Sequence, residues 1–169
     1  MASNPFGKFF KKQNFGGLLC YLSLTITPNK VIAAVWRLQD EAVSVFGISS
    51  KNFSDNNNLV HETAIAIDKA GENATSDVEK TVFGVSAYYL DGANPTKESI
   101  KLLKDLSQEL ELSPQAYIPI PAAIAHLLKM EKGLENFISI GTFGNFTEMA
   151  IIKDAKLVEI KKSQNTDAE

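Results

Sequence analysis

Three apolar segments joined by turns too short for a crossover set the architecture of the first half of the chain. Residues 18–26 are nearly continuously apolar, and 31–38 and 42–49 carry strand-like patterns. Only Thr27-Pro28-Asn29-Lys30 and Gln39-Asp40-Glu41 separate them. Proline fixes φ and asparagine tolerates left-handed geometry, so the first linker is a turn. A parallel pairing would need a connection of about a dozen residues, so strands joined this tightly form an antiparallel meander.

Beyond the meander the period changes. Residues 50–58 are polar and read as a loop, and 59–73 place Val60, Ala64, Ile67 and Ala70 at helical spacing before a glycine-led end. Residues 80–89, with Val82, Phe83 and Val85, read as a strand. After the loop DGANPT, Thr96 is the expected N-cap of a helix to about residue 112, with Ile100, Leu103, Leu106 and Leu110 on one face. A short strand at 116–120 leads into a helix at 122–130 opened by Pro121. Strands follow at 137–142, 146–153 and 156–161, separated by Phe143-Gly144-Asn145 and Asp154-Ala155, so the closing meander echoes the opening one. The expected order is βββ-α-β-α-β-α-βββ, an α/β lobe over 18–161 with a mixed sheet and helices on both faces. Ile26, Val35, Val45, Phe83, Val85, Ile138 and Ile140 are expected on central strands of one mixed sheet sandwiched by helices.

The chain's 169 residues, 44% of them hydrophobic, suffice for one compact domain. With 17 Lys+Arg against 20 Asp+Glu the formal net charge is −3, which excludes a globally basic nucleic-acid-binding domain. No apolar run approaches the ~18 residues of a membrane span, and residues 1–17 lack a secretory-signal core, so the expected compartment is the cytoplasm. Cys20, the single cysteine, cannot form an internal disulfide and reads as a buried, inert thiol. His61 and His126 fall in separate helical segments and suggest no metal site.

Residues 1–17, MASNPFGKFFKKQNFGG, read as a tail in which Phe6, Phe9 and Phe10 alternate with Lys8, Lys11 and Lys12. Such a segment suits weak contact with an anionic membrane surface, docking in a partner protein's groove, or resting of its Phe rings on the domain itself. Residues 162–169 are a polar C-terminal tail.

Four strings, in order along 18–161, resemble the first lobe of the actin-like ATPase superfamily, which includes actin, DnaK-type chaperones, FtsA and PilM. Thr25-Ile26-Thr27-Pro28-Asn29-Lys30-Val31 stands where FtsA-like proteins read D-[IL]-G-[ST]-x-K-V. KTVFGVSAYYL is similar to V-I-T-V-P-A-Y-F, IPIPAAIAHLL to I-N-E-P-T-A-A-A-I-A-Y, and NFISIGTFGNFTEMAII to N-V-L-I-F-D-L-G-G-G-T-F-D-V. The resemblance implies two phosphate-binding hairpins, in which glycine-rich turns offer backbone N–H groups and an adjoining Asp positions a metal. On this chain the corresponding cofactor-binding positions are Thr25, Thr27 and Lys30 in the first hairpin and Thr142, Gly144 and Thr147 in the second.

The sequence departs from the pattern where phosphate chemistry needs it most. Thr25 replaces the acidic residue, Pro28 removes a backbone donor, and Ile120 stands in place of the Glu of the N-E-P string. The second metal-positioning Asp falls on Gly141 or Thr142. Lys30 reads equally as a solvated turn residue, Gly144 as a geometric requirement of its turn, and Glu148 as an outward strand residue. The segment between Val85 and Lys101 also reads as too short for the extra subdomain of FtsA and PilM, and these residues supply one lobe of the two, so the chain reads either as a piece of a longer protein or as a lobe that serves alone.

The reading that follows is a non-catalytic, actin-like scaffold or interaction domain resembling PilM or FtsA. It has no catalytic or metal residues, no cofactor beyond weak ATP/Mg, and protein partners that include cytoplasmic segments of membrane proteins. It implies a place at the inner face of the membrane, in an assembly of pilus or cell-division type. The alternative is the first lobe of a genuine ATPase whose second lobe is missing. A nuclease of RNase-H-like order would need several carboxylates converging on two metals, and residues 18–26 carry none.

Overall fold

The expected meander is present. In the computed structural model, which describes residues 20–39, 42–74, 77–92 and 94–164, β1 (Cys20–Ile26) runs antiparallel to β2 (Lys30–Gln39), and β2 to β3 (Ala42–Asn52). The reading of residues 1–17 as a tail lies outside the described residues.

Helix α1 (Asn56–Gly71) starts earlier than the apolar spacing suggests. Asp55 caps it, its carboxylate accepting from the backbone N–H of Asn57 (2.8 Å) and Asn58 (3.2 Å), and this holds three asparagines in a first turn that their propensity disfavours. Strand β4 (Val78–Val85) ends sooner than expected, because the chain turns through a single 3-10 turn at Ala87–Tyr89. A small ribbon of β5 (Leu90–Asp91) and β6 (Asn94–Pro95) precedes α2 (Lys97–Glu109), whose Thr96 hydroxyl accepts from the Ser99 N–H at 3.1 Å as an N-cap.

Then come β7 (Pro114–Pro119) and α3 (Ile120–Lys132), with Pro121 in the first turn of the helix and Gly133 at φ 65° closing it. Strands β8 (Phe137–Phe143), β9 (Phe146–Lys153) and β10 (Lys156–Gln164) complete the described chain. β10 runs through Gln164, which pairs with Phe146, so the ladder extends into the stretch read as a polar tail.

Five strands form one mixed sheet in the order β3-β2-β1-β4-β7, with β4 parallel to β1 and β7 parallel to β4. The register puts Leu22, Leu24, Ile26, Val31, Ala33, Val35, Phe83 and Val85 on one face, all buried. Leu59, Ala66, Ile67 and Ala70 of α1 and Leu106 of α2 complete that core. The α3 helix lies against β4 and β7 and against β9 and β10, and so bridges to the closing meander.

That closing meander corrects one expectation. β8, β9 and β10 form a separate three-stranded sheet rather than central strands of the first. Ile138 and Ile140 lie on its edge strand β8, 60% and 68% exposed, and Val45 on edge strand β3 is 54% exposed. Their alternation was real, but the faces they occupy carry no covering helix among the described residues.

Candidate functional site

The two hairpins singled out by the sequence meet at their tips. Gly144, at φ 62° in the β8–β9 turn, is so close to the first turn that a Cβ there would lie 3.3 Å from the Asn29 side-chain nitrogen. The 3-10 turn at the end of β4 fills the space between the hairpins and ties them together. The Ser86 N–H donates to the Ile26 carbonyl (3.1 Å), the Tyr89 hydroxyl donates to the Thr27 carbonyl (3.3 Å), and the Tyr88 ring meets Phe146 edge-on at 5.4 Å. Lys162 on β10 adds a bond from its ammonium to the Leu90 carbonyl at 2.7 Å.

The first turn is closed upon itself. Its Thr27 N–H donates to the Lys30 carbonyl (2.9 Å), the Thr27 hydroxyl donates to the same carbonyl (3.0 Å), and the Lys30 N–H donates to the Thr27 hydroxyl oxygen (3.1 Å). Pro28 has no N–H. Of four turn positions, three have no backbone donor left for a phosphate. Lys30 is exposed, and the half-buried Thr25 lies with its hydroxyl over Gly84.

In the second hairpin the strand parity separates the two candidate positions for the missing Asp. Gly141 shares the inner face with Phe143, Phe146 and Glu148, whereas the exposed Thr142 and its cross-strand partner Thr147 lie on the outer face with Ile138 and Ile140. Of the six predicted positions, Thr27 and Gly144 therefore lie at the junction itself, Lys30 flanks it, Thr25 lies on β1 over Gly84, and Thr142 and Thr147 lie on the outer face.

Glu148 is the residue whose placement the sequence misjudged. It points inward and is buried, its side chain packs over Gly141, and its carboxylate accepts from the Ala87 N–H at 2.6 Å. Missed as well were Ser86, whose buried hydroxyl has no hydrogen-bond partner, and Tyr89, whose hydroxyl burial and the neighbouring Tyr88 push up to about 12. The signal was present in the string V-P-A-Y-F, in which Ser86 takes the place of the proline. His61 and His126 are both exposed, on different helices, and no metal-binding cluster occurs among the described residues. At this junction the Glu148 carboxylate is engaged by the Ala87 N–H, and the Thr27 and Lys30 N–H groups are engaged within their own turn.

Burial raises the Glu148 carboxyl above its ordinary 4.5, and the Ala87 N–H opposes this only in part. The native state then holds the proton more tightly than the unfolded chain, so this group lowers stability as pH rises from about 4.5 through its native value. Glu148→Gln keeps an oxygen for the Ala87 N–H and removes the charge. Urea titrations of both proteins at pH 4 and pH 7 should show the wild type losing stability relative to the variant at the higher pH. Half-buried Asp68, also raised, is common to both and cancels. An unchanged difference between the two pH values would remove the charge cost assigned to Glu148.

Comparison with known proteins finds no family model and no curated protein that matches the chain. Solved structures do match. The ethanolamine utilization protein EutJ from Carboxydothermus hydrogenoformans aligns with a TM-score of 0.63 at 13% identity, over 86% of this chain and 52% of EutJ. A chain of the PilM–PilN type IV pilus biogenesis complex aligns at 0.60 and 11% identity, over 85% and 61%. The fold is that of an actin-like ATPase lobe. An Aquifex aeolicus Ppx/GppA family member shares it at 0.51 and 14% identity, over 88% of this chain and 52% of its own. The actin-like lobe thus spans about half the length of EutJ and of that Ppx/GppA protein.

The lobe also carries an apolar groove of about 850 Å³ between α2 and β7. Ile100, Leu103 and Leu112 line one side and Phe83 and Tyr117 the other, with Asn94 and Pro95 at one end. β7 is an edge strand of the five-stranded sheet and is exposed over most of its length.

Proposed function

We propose that this chain is a non-catalytic, protein-binding lobe, a scaffold of the PilM or FtsA kind within a membrane-associated assembly. The observation that carries the reading is the self-closed first turn, in which Thr27, Pro28 and Lys30 leave no backbone donor for a phosphate. The groove between α2 and the exposed edge strand β7 supports a protein ligand, since an extended segment gains main-chain hydrogen bonds on a strand edge and side-chain burial beside it. The PilM neighbour was solved as a complex with PilN, which makes a protein partner the natural expectation here.

Calorimetry and a phosphate-release assay with Mg-ATP test the reading. Binding no tighter than about millimolar, near −4 kcal/mol, and no hydrolysis are expected. Micromolar binding by this chain would overturn the proposal. A second reading, the first lobe of a working ATPase, draws on the neighbours' being about twice as long. It requires nucleotide binding to appear when a second lobe is present, and the same calorimetry on such a protein distinguishes the two.

A further inference from the structure

Among the described residues the two larger sheets end on four edge strands, β3 and β7 in one and β10 and β8 in the other. Bulges, charged side chains and prolines are the means by which natural proteins keep such edges from pairing with another chain. β3 is interrupted by a bulge between its pairings with Val35 and Trp36 and carries Lys51. β10 has a bulge after Leu157 and carries Lys156, Glu159, Lys161 and Lys162. β7 is bounded by Pro114 and Pro119, which confines an added strand to the residues between them. β8 has none of these devices. Its seven residues, Phe137-Ile138-Ser139-Ile140-Gly141-Thr142-Phe143, are uncharged, contain no proline and run in unbroken register with β9.

The register with β9 fixes which main-chain groups β8 leaves open. Phe143 and Phe146 flank the two-residue turn Gly144-Asn145, and the pair that closes such a turn is a hydrogen-bonded one. Bonded and non-bonded pairs alternate from there, so Ile138, Ile140 and Thr142 are the positions that turn their N–H and C=O groups away from β9. Their side chains are exposed on the outer face of the sheet. The strand is also symmetric about its middle. Around Ile140 stand Ser139 and Gly141, both small, then Ile138 and Thr142, both β-branched, then Phe137 and Phe143.

We propose that β8 pairs antiparallel with β8 of a second copy of this chain, about a two-fold axis at Ile140, so that two three-stranded sheets continue into one. In that register Ile138, Ile140 and Thr142 face Thr142, Ile140 and Ile138 of the second copy. These are the positions whose main-chain groups are open, and each pair closes with the two hydrogen bonds of an antiparallel ladder. The side chains match in the same register. On the outer face Ile140 meets its own counterpart and Ile138 meets Thr142, while on the inner face Phe137 meets Phe143 with the small Ser139 and Gly141 between. A slip of two residues either way sets Phe137 against Gly141 or Phe143 against Ser139, and a slip of one turns the inner face outward. Because β8 is uncharged, no like charges from the two strands oppose each other across the axis. The contact is a strand edge with two apolar rows, small for an obligate dimer, so the association is reversible.

Sedimentation equilibrium of the full chain over a range of concentrations tests the pairing. The weight-average mass should rise from one chain toward two, with dimers predominant by ~100 µM. Ile140→Lys places two like charges opposite each other on the axis and should raise the dissociation constant at least about tenfold. Two double variants then read the register. Ile138→Lys with Thr142→Lys sets like charges against each other at both off-axis pairs and should abolish the dimer, whereas Ile138→Lys with Thr142→Glu sets opposite charges there and should retain it. All three positions are exposed, and circular dichroism verifies that each variant is folded. A chain that stays a single copy at every concentration overturns the proposal and leaves this edge to a strand of another protein. A dimer that survives Ile140→Lys, or that is lost equally in both double variants, is held by a different contact or register and overturns it as well.

Discussion

Leu24→Ala is expected to lower the unfolding free energy by about 4 kcal/mol, the largest loss of any single truncation in the lobe. Leu24 is fully buried at the middle of β1, flanked by Ala33 on β2 and Phe83 on β4, and its side chain meets the layer formed by α1 and α2. Neighbours on both sides are themselves held by strand ladders, so they cannot collapse into the space and the cavity term adds to the lost transfer energy. Ile140→Ala removes a similar amount of hydrocarbon from a side chain that is mostly exposed on β8, and should cost less than about 1 kcal/mol. Urea denaturation of the two variants checks the pair. Equal losses would mean that the second sheet's outer face is covered by something that the separate-sheet architecture does not account for.

Gly47→Val should cost about 3 kcal/mol by the opposite mechanism, overpacking. Gly47 pairs with Val35 across the β2–β3 ladder and faces α1, where a Cβ would collide with the carbonyl oxygen of Ala70. That oxygen belongs to the helix backbone and cannot rotate aside as a side chain would. α1 must instead move off the sheet, giving up part of the burial of Leu59, Ala66 and Ile67. The strand itself would welcome valine, so a loss below about 1 kcal/mol in chemical denaturation would show that β propensity outweighs the helix contact at this position.

The parts of this lobe legible in the sequence are those decided by neighbours a few residues apart. Thr27-Pro28-Asn29-Lys30 makes a tight turn in any context, Thr96 caps a helix with the backbone N–H of Ser99, and Pro121 and Gly133 bracket α3. The same local rules underestimated α1, because the cap at Asp55 outweighs the poor helix propensity of Asn56, Asn57 and Asn58. The order of elements, together with four strings that resemble the first lobe of the actin-like ATPase superfamily, then carried the reading from single elements to the actin-like topology.

What a strand buries is a different matter. Ile138 and Ile140 alternate as a half-buried strand should, and period 2 alone does not say which of the two faces a helix will cover. Glu148 shows the same limit from the polar side. Its place in a strand is consistent with an outward carboxylate, and only the approach of the 3-10 turn at Ala87 supplies a backbone N–H that makes the inward position tolerable. Local chemistry and the spacing of apolar residues were therefore enough for the elements and their order. Which faces meet, and that Glu148 points inward, were decided by contacts between residues far apart in sequence, such as Ala87 with Glu148 and Thr27 with Tyr89, 61 and 62 positions apart. Such contacts exist only once the chain is folded, because hydrogen-bond geometry and burial are properties of the assembled surfaces and not of any one segment.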